Sequence, residues 1–318
     1  MKTITLKGSS GTLDITRLTM GHNKIEQAER RALAHRCFDR YLAAGGNCFD
    51  TARLYGDGEA ETYLGAYLRG KPRDSFTVCT KGGHHDCGRP PKGRLTRDIL
   101  TQELETSLKL LGLDYVDVLY LHRDDIYCPV EEIMPILAEF VRAGKVRFLG
   151  ASNWTAGRIA EANAFAAGAG LPEFAVSQIC WALALTTNAR SGDVTHVVMD
   201  TAEYLWYKEN NFPVMAWSPS ARGYLTKRIG GEVPANLARM FGYLKENDKR
   251  AERVRVLAGE LGVPPGAVVL SYLMSHTGFP TVAIAAFSSE AQLEEALVAE
   301  ALTLTPEQRG YLAGGLPL

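Results

Sequence analysis

One repeated device constrains this chain more than any other feature: a short apolar run closes on a polar residue, an amphipathic helix follows, and the cycle restarts. Strands that read as unbroken apolar runs are buried on both faces, and parallel strands need crossover connections, usually helices. Counting the runs gives candidate strands ending near Met20, Asp50, Lys81, His122, Gly150, Gln178, Trp217 and Ala285. Eight strand and helix cycles with no shift in composition predict a closed (β/α)8 TIM barrel of the α/β class, rather than an open doubly wound sheet. The helices carry the same message. Leu100, Leu104, Leu108 and Leu111 share one face and stop at Gly112, and Val130, Ile133, Met134, Leu137, Phe140 and Val141 keep the helical period up to Gly144. Before the first cycle, Thr3–Leu6 and Leu13–Ile15 flank Gly8-Ser9-Ser10-Gly11, the pattern of an N-terminal β-hairpin.

A barrel of roughly 250 residues with insertions accounts for the length, so one domain over 1–318 is expected. The stretch from Pro219 to Asn247, with Gly230-Gly231 and Pro234, reads as the longest irregular segment and is expected to be a functional loop. The 35 basic and 36 acidic residues are interspersed, which argues against a nucleic-acid partner, since a phosphate-tracking surface needs clustered Lys and Arg. The start of the chain alternates polar and apolar residues, and no apolar run is long enough for a membrane span, so a cytoplasmic protein acting on a small molecule is expected. Cys37, Cys48, Cys79, Cys87, Cys128 and Cys180 form no C-x-x-C pair and read as reduced thiols, with Cys48 and Cys79 acting as small apolar core residues.

In such a barrel the active site lies at the C-terminal strand ends. Cys48-Phe49 closes on Asp50, Phe76–Cys79 on Thr80-Lys81, and Val116–Leu121 on His122; later runs lead into Ser152-Asn153, Gln178 and Ser218. An acid, a lysine, a histidine and the nearby Tyr55 on one face suggest proton transfer. A phenol of ordinary pKa near 10 exchanges protons poorly at neutral pH, and a neighbouring ammonium favours the phenolate. Lys81 is placed to supply that charge. A buried lysine needs an anionic partner, because breaking a buried pair costs about 3–5 kcal/mol, and Asp50 is the candidate. His122 would then polarise a substrate oxygen.

At these residues the sequence resembles the aldo-keto reductase family: Asp50-Thr51-Ala52-Arg53-Leu54-Tyr55-Gly56 matches its D-T-A-x-x-Y-G segment. Thr80-Lys81, Leu121-His122 and Gly150-Ala151-Ser152-Asn153 follow in the family's order, and Gly144–Arg147, Gln178 and Trp217-Ser218-Pro219 extend the likeness over nearly the whole chain. The resemblance implies hydride transfer between a nicotinamide cofactor and a carbonyl or alcohol, with Tyr55 as general acid and base, Asp50 and Lys81 tuning it, and His122 positioning the carbonyl. It further implies that Ser152, Asn153 and Gln178 hold the nicotinamide carboxamide, that Trp217 stacks on the ring, and that Ser218 and Ser220 meet the pyrophosphate. Gly56-Asp57-Gly58 is not a dinucleotide fingerprint, for Glu61 stands where a third glycine is needed.

The chain departs from the family after the eighth strand. Where the family places cations and an asparagine around the adenosine 2′-phosphate, this sequence has Ala286, Gln292 and Ala296, leaving Ser288 and Gln292 as the candidates there. Charge-assisted hydrogen bonds are worth about 1.5–3 kcal/mol each, so NADP(H), expected by resemblance, does not exclude NAD(H). For the substrate, His22, Asn23, Arg53, His84, Trp154 and the run from Arg123 to Asp125 form a mostly polar set, favouring a sugar- or polyol-like molecule. His84-His85-Asp86-Cys87 reads as a substrate-facing loop rather than a metal site, because adjacent side chains rarely reach one tetrahedral ion. The alternatives are a nicotinamide-binding regulatory barrel with little turnover and a metal-dependent barrel isomerase or hydrolase.

Overall fold

The computed structural model describes residues 1–85 and 94–315. Its strands are β1 (Thr3–Gly8), β2 (Gly11–Thr16), β3 (Leu18–Met20), β4 (Cys48–Asp50), β5 (Thr77–Gly82), β6 (Val116–Leu121), β7 (Val146–Ser152), β8 (Phe174–Gln178), β9 (Val214–Trp217) and β10 (Thr281–Ala285). Strands β3 to β10 pair in sequence order and in parallel, and β10 closes onto β3, giving the eight-stranded barrel. The strand ends fall at or beside the expected positions, with β7 running on to Ser152. Helices fill the crossovers. Arg97–Leu111 buries Leu100, Leu104, Leu108 and Leu111 and ends on Gly112 at φ 65°, a left-handed cap that a residue with Cβ adopts only with strain.

The antiparallel hairpin β1–β2 pairs Ile4 with Ile15 and Leu6 with Leu13. These four side chains are buried against barrel-interior residues including Cys48, Val118, Phe148 and Val282. Since β2 ends immediately before β3 begins, the hairpin plugs the N-terminal mouth of the barrel. Ligand access is thereby directed to the opposite mouth, where the polar strand ends lie.

Two expectations change. The segment from Pro219 to Asn247 is largely helical, with Tyr224–Ile229, Ala235–Phe241 and the start of Lys245–Leu261. Tyr224, Leu225, Leu237, Met240 and Phe241 bury in a second core cluster, and that burial folds a segment whose Gly and Pro content reads as loop. The long connection is instead Ile179–Asp200, which has only a short 3-10 turn, Asn188–Arg190. Among the described residues no single helix is long and apolar enough to cross a membrane, and Cys37, Cys48, Cys79, Cys128 and Cys180 are free thiols. Cys87 lies outside the described residues.

Candidate active site

Side chains alternate along a strand, so Cys48 and Asp50 face the same way on β4, as do Cys79 and Lys81 on β5. The two thiols lie deeper in the barrel, with Sγ atoms 3.7 Å apart, and the acid and the amine lie above them. Lys81 Nζ donates to Asp50 Oδ2 at 2.7 Å and to the Thr51 carbonyl at 2.7 Å. Gln178 Nε2 donates to the other carboxylate oxygen of Asp50 at 3.0 Å. Burial opposes the charged form of Lys81, but the neighbouring Asp50 and Tyr55 outweigh it and hold its pKa above the ordinary lysine range.

Tyr55 opens the 3-10 turn Tyr55–Gly58, whose Gly56 and Asp57 both have positive φ, 58° and 51°. Its half-buried ring has Lys81 Nζ 5.1 Å from the centroid. His22 lies against one side at 4.5 Å between ring centroids, and His122 meets the ring edge-on at 5.9 Å. Thus the structure brings Asp50, Tyr55, Lys81 and His122 together. Burial, then Lys81, Arg123, His84 and His196, push the His122 pKa well below its usual value, so the imidazole is neutral at pH 7. Its backbone N–H donates to the Gly82 carbonyl at 2.7 Å, which fixes the ring relative to β5.

Ser152 and Asn153 follow β7. Asn153 has φ 56°, donates to Ser152 Oγ at 3.1 Å, and accepts from Trp217 Nε1 at 3.2 Å. Trp217 is half-buried at the end of β9, with the His196 ring 4.7 Å away. Beyond it, Ser218 (φ 54°), Ala221 (φ 50°), Arg222 (φ 55°) and Gly223 (φ 77°) are left-handed, and Ser220 precedes Ala221 at φ −92°, ψ 8°. A right-handed residue followed by a left-handed one turns successive backbone N–H groups into an anion-binding concavity, which suits a pyrophosphate. Ser218 and Ser220 frame it. Ser288 N donates to Gln292 Oε1 at 2.8 Å at the start of the helix Glu290–Ala301, and Arg30 NH1 donates to the Ser288 carbonyl at 3.3 Å.

The substrate candidates separate. His22 touches Tyr55, and His84 meets His122 edge-on at 4.7 Å, so both border the tetrad. Arg123 is buried and donates through NH1 to the His122 carbonyl at 2.7 Å. Arg53 instead pairs with Asp57 at 3.2 Å, and Asn23 uses its carbonyl to accept from Phe287 N at 2.7 Å, tying the β3 and β10 ends together. Trp154 is fully buried, with Phe174 edge-on at 5.2 Å and Arg158 over its ring at 5.4 Å. It belongs to the core between strands and helices rather than to the mouth, because the chain turns at Asn153 in the left-handed conformation. Residues that the sequence did not single out are Asp193, Thr195 and His196, from the long connection after β8. Arg123 reaches Asp193 Oδ2 at 3.3 Å and Thr195 Oγ1 at 2.9 Å. Their only sequence signal is a polar run far from any strand end. Asp86 and Cys87 lie outside the described residues.

A closed parallel barrel with a lysine–carboxylate pair, a phenol and a neutral imidazole at its C-terminal mouth defines a (β/α)8 protein equipped for proton-coupled chemistry on a small molecule. Comparison with known proteins makes this particular: the aldo/keto reductase family model matches residues 17–314, and the chain belongs to that family, a family of oxidoreductases. It is 28% identical to the aldo-keto reductase AMT2 of Alternaria alternata, over 91% of this chain and 82% of that one. It is 30% identical to a probable voltage-gated potassium channel subunit beta of Oryza sativa subsp. japonica, over 94% and 92%. A probable aryl-alcohol dehydrogenase, AAD4 of Saccharomyces cerevisiae, is 28% identical over 89% and 88%. The crystal structure of the thermostable aldo-keto reductase Tm1743 with the inhibitor epalrestat superposes with a TM-score of 0.75, covering 99% of each chain at 22% identity, which supports the shared fold.

Proposed function

We propose that this chain, working as one barrel domain, interconverts a polar carbonyl compound and its alcohol with a nicotinamide cofactor, using Tyr55 as general acid and base. The observation that carries this reading is Lys81 Nζ, held between Asp50 Oδ2 and the Thr51 carbonyl and lying under the Tyr55 ring. When bound, the nicotinamide supplies or accepts the hydride. Tyr55 gives its phenolic proton to the carbonyl oxygen in reduction and takes one from the alcohol in oxidation. The Lys81 ammonium favours the phenolate left behind, and Asp50 keeps that ammonium in place. His122, being neutral, offers a hydrogen bond to the substrate oxygen without placing a second cation beside Lys81.

The residues present fit a dinucleotide. Trp217 offers a half-buried aromatic face, the Ser218–Gly223 turn an anion-binding concavity, and Ser288 with Gln292 polar groups at the adenosine end. Ser152 and Asn153 stand beside Trp217, where a carboxamide would lie. Gln178 already supports Asp50 through its amide nitrogen, so it orients the acid as well. Arg30 is the cation nearest Ser288 by hydrogen bond, and a single half-buried arginine supports acceptance of both NADH and NADPH. His22, His84 and Arg123 around the mouth favour a hydroxyl-bearing substrate.

Following NADH and NADPH oxidation against a panel of hydroxyaldehydes and other polar carbonyls tests the reading. Turnover in the wild type that disappears in Tyr55→Phe, with cofactor fluorescence quenching retained, is the expected result; unchanged turnover in that variant overturns the mechanism. A second reading, a regulatory barrel that binds cofactor with little turnover, is favoured by the relatives named as channel beta subunits. Quenching without oxidation of cofactor by any carbonyl would select it.

A further inference from the structure

Beside the tetrad, two segments distant in sequence converge on a group of possible metal ligands. His84 and His85, just past β5, and Asp193, from the connection after β8, bring one ligand atom each within 4.8 Å of one another. Adjacent side chains rarely reach one ion unaided, but here the third ligand comes from a distant segment, and we infer that His84, His85 and Asp193 form a binding site for a zinc-class divalent cation at the mouth of the barrel.

The arrangement around each ligand supports this. His84 Nδ1 lies 2.7 Å from the His85 carbonyl; a carbonyl only accepts, so Nδ1 carries the hydrogen and Nε2 presents its lone pair. A backbone carbonyl holding the second ring nitrogen is the usual way in which a metal-binding histidine is oriented. Asp193 Oδ1 accepts from Thr195 N at 2.9 Å and from Thr195 Oγ1 at 2.7 Å, and its Oδ2 lies 3.4 Å from His85 Nε2, which donates to Thr195 Oγ1 at 3.0 Å and must shift that hydrogen to Nδ1 when an ion binds. Two imidazoles and one carboxylate match zinc better than magnesium, which prefers oxygen ligands. Ligand atoms on a tetrahedral zinc stand about 3.4 Å apart, so small rotations of the two rings complete the set.

Arg123 is the resident cation at Asp193 Oδ2, and the incoming ion displaces it. The guanidinium keeps Thr195 Oγ1 and the His122 carbonyl as acceptors when it withdraws. Because the His84 ring packs edge-on against His122, the bound ion ties the two segments together beside the catalytic imidazole.

Calorimetric titration of the full chain with Zn2+ tests the site without any measurement of turnover, and its outcome is independent of the proposed reaction. One equivalent is expected to bind, with affinity lowered at least about tenfold in His84→Ala, His85→Gln and Asp193→Asn. Exposed His35→Ala should leave it unchanged, and Mg2+ should give no heat. Thermal unfolding of each metal-free variant identifies those that fold, and three independent ligand positions leave the comparison intact if one does not. Absence of binding, or equal affinity in wild type and in all three ligand variants, overturns the inference.

Discussion

The two ends of the proposed cofactor groove, nicotinamide and adenosine, are built on different principles. At the nicotinamide end Asp50, Lys81, Gln178 and His122 are all buried, and Asp50 and Lys81 are linked by bonds of 2.7–3.0 Å on the rigid strands β4, β5 and β8. At the adenosine end Ser288 and Gln292 are exposed at a helix start, and the nearby arginines are taken up by neighbours: Arg36 pairs with Glu290 and Arg40 with Glu294. Low dielectric and fixed geometry make every charge at the first end consequential, whereas solvent screens those at the second. On the proposed reading, function therefore concentrates where the strands end, and discrimination between cofactors weakens where the loop is exposed.

The contrast breaks first at Tyr55. Tyr55→Phe should lower turnover by about 10^2 to 10^4, the range of a lost general acid, while cofactor quenching is retained. Next comes Lys81→Met, which leaves Asp50 buried and uncompensated; chemical denaturation should show a loss of about 3–5 kcal/mol, and adding Asp50→Asn should recover part of it. A double variant no more stable than the single one would mean that the pair is not coupled.

The histidines near the mouth give an effect of intermediate size. Burial, followed by Lys81 and Lys24, pushes the His22 pKa down to about 4, and burial followed by Arg123 does the same to His196. A lowered histidine pKa means that the unfolded chain binds the proton more tightly. The stability is fully present above about pH 6.5 and is lost as pH falls toward 4. Each should cost up to about 2 kcal/mol by pH 5, and His22→Gln should flatten the acid limb of a plot of stability against pH. The smallest effect is expected at the adenosine end. Arg30→Ala should weaken NADPH by about threefold to tenfold and leave NADH unchanged, measured by quenching; a hundredfold loss would show that this end is as sharply built as the other.

The strands were legible because burial on both faces forces continuous apolar runs, and the first polar residue after each run marks the mouth. For that reason Asp50, Lys81 and His122 could be picked out by position alone, and Tyr55 by its motif. Trp154 was misjudged because one left-handed residue, Asn153, redirects the chain, and φ at a single position leaves little trace in residue type. The segment from Pro219 to Asn247 misled in the opposite sense. Its glycines and proline read as loop, while the burial of Tyr224, Leu225, Leu237 and Phe241, a tertiary effect, makes it helical.

By itself, then, the sequence determined the barrel and its strand ends, and pointed to the four residues proposed as the tetrad, since alternation and burial are local patterns written every few residues. Tertiary structure alone decided that the hairpin plugs the N-terminal mouth, that Gln178 supports Asp50, and that Asp193 meets His84 and His85. Those are contacts between segments far apart in the chain, and closing the barrel is what brings them together.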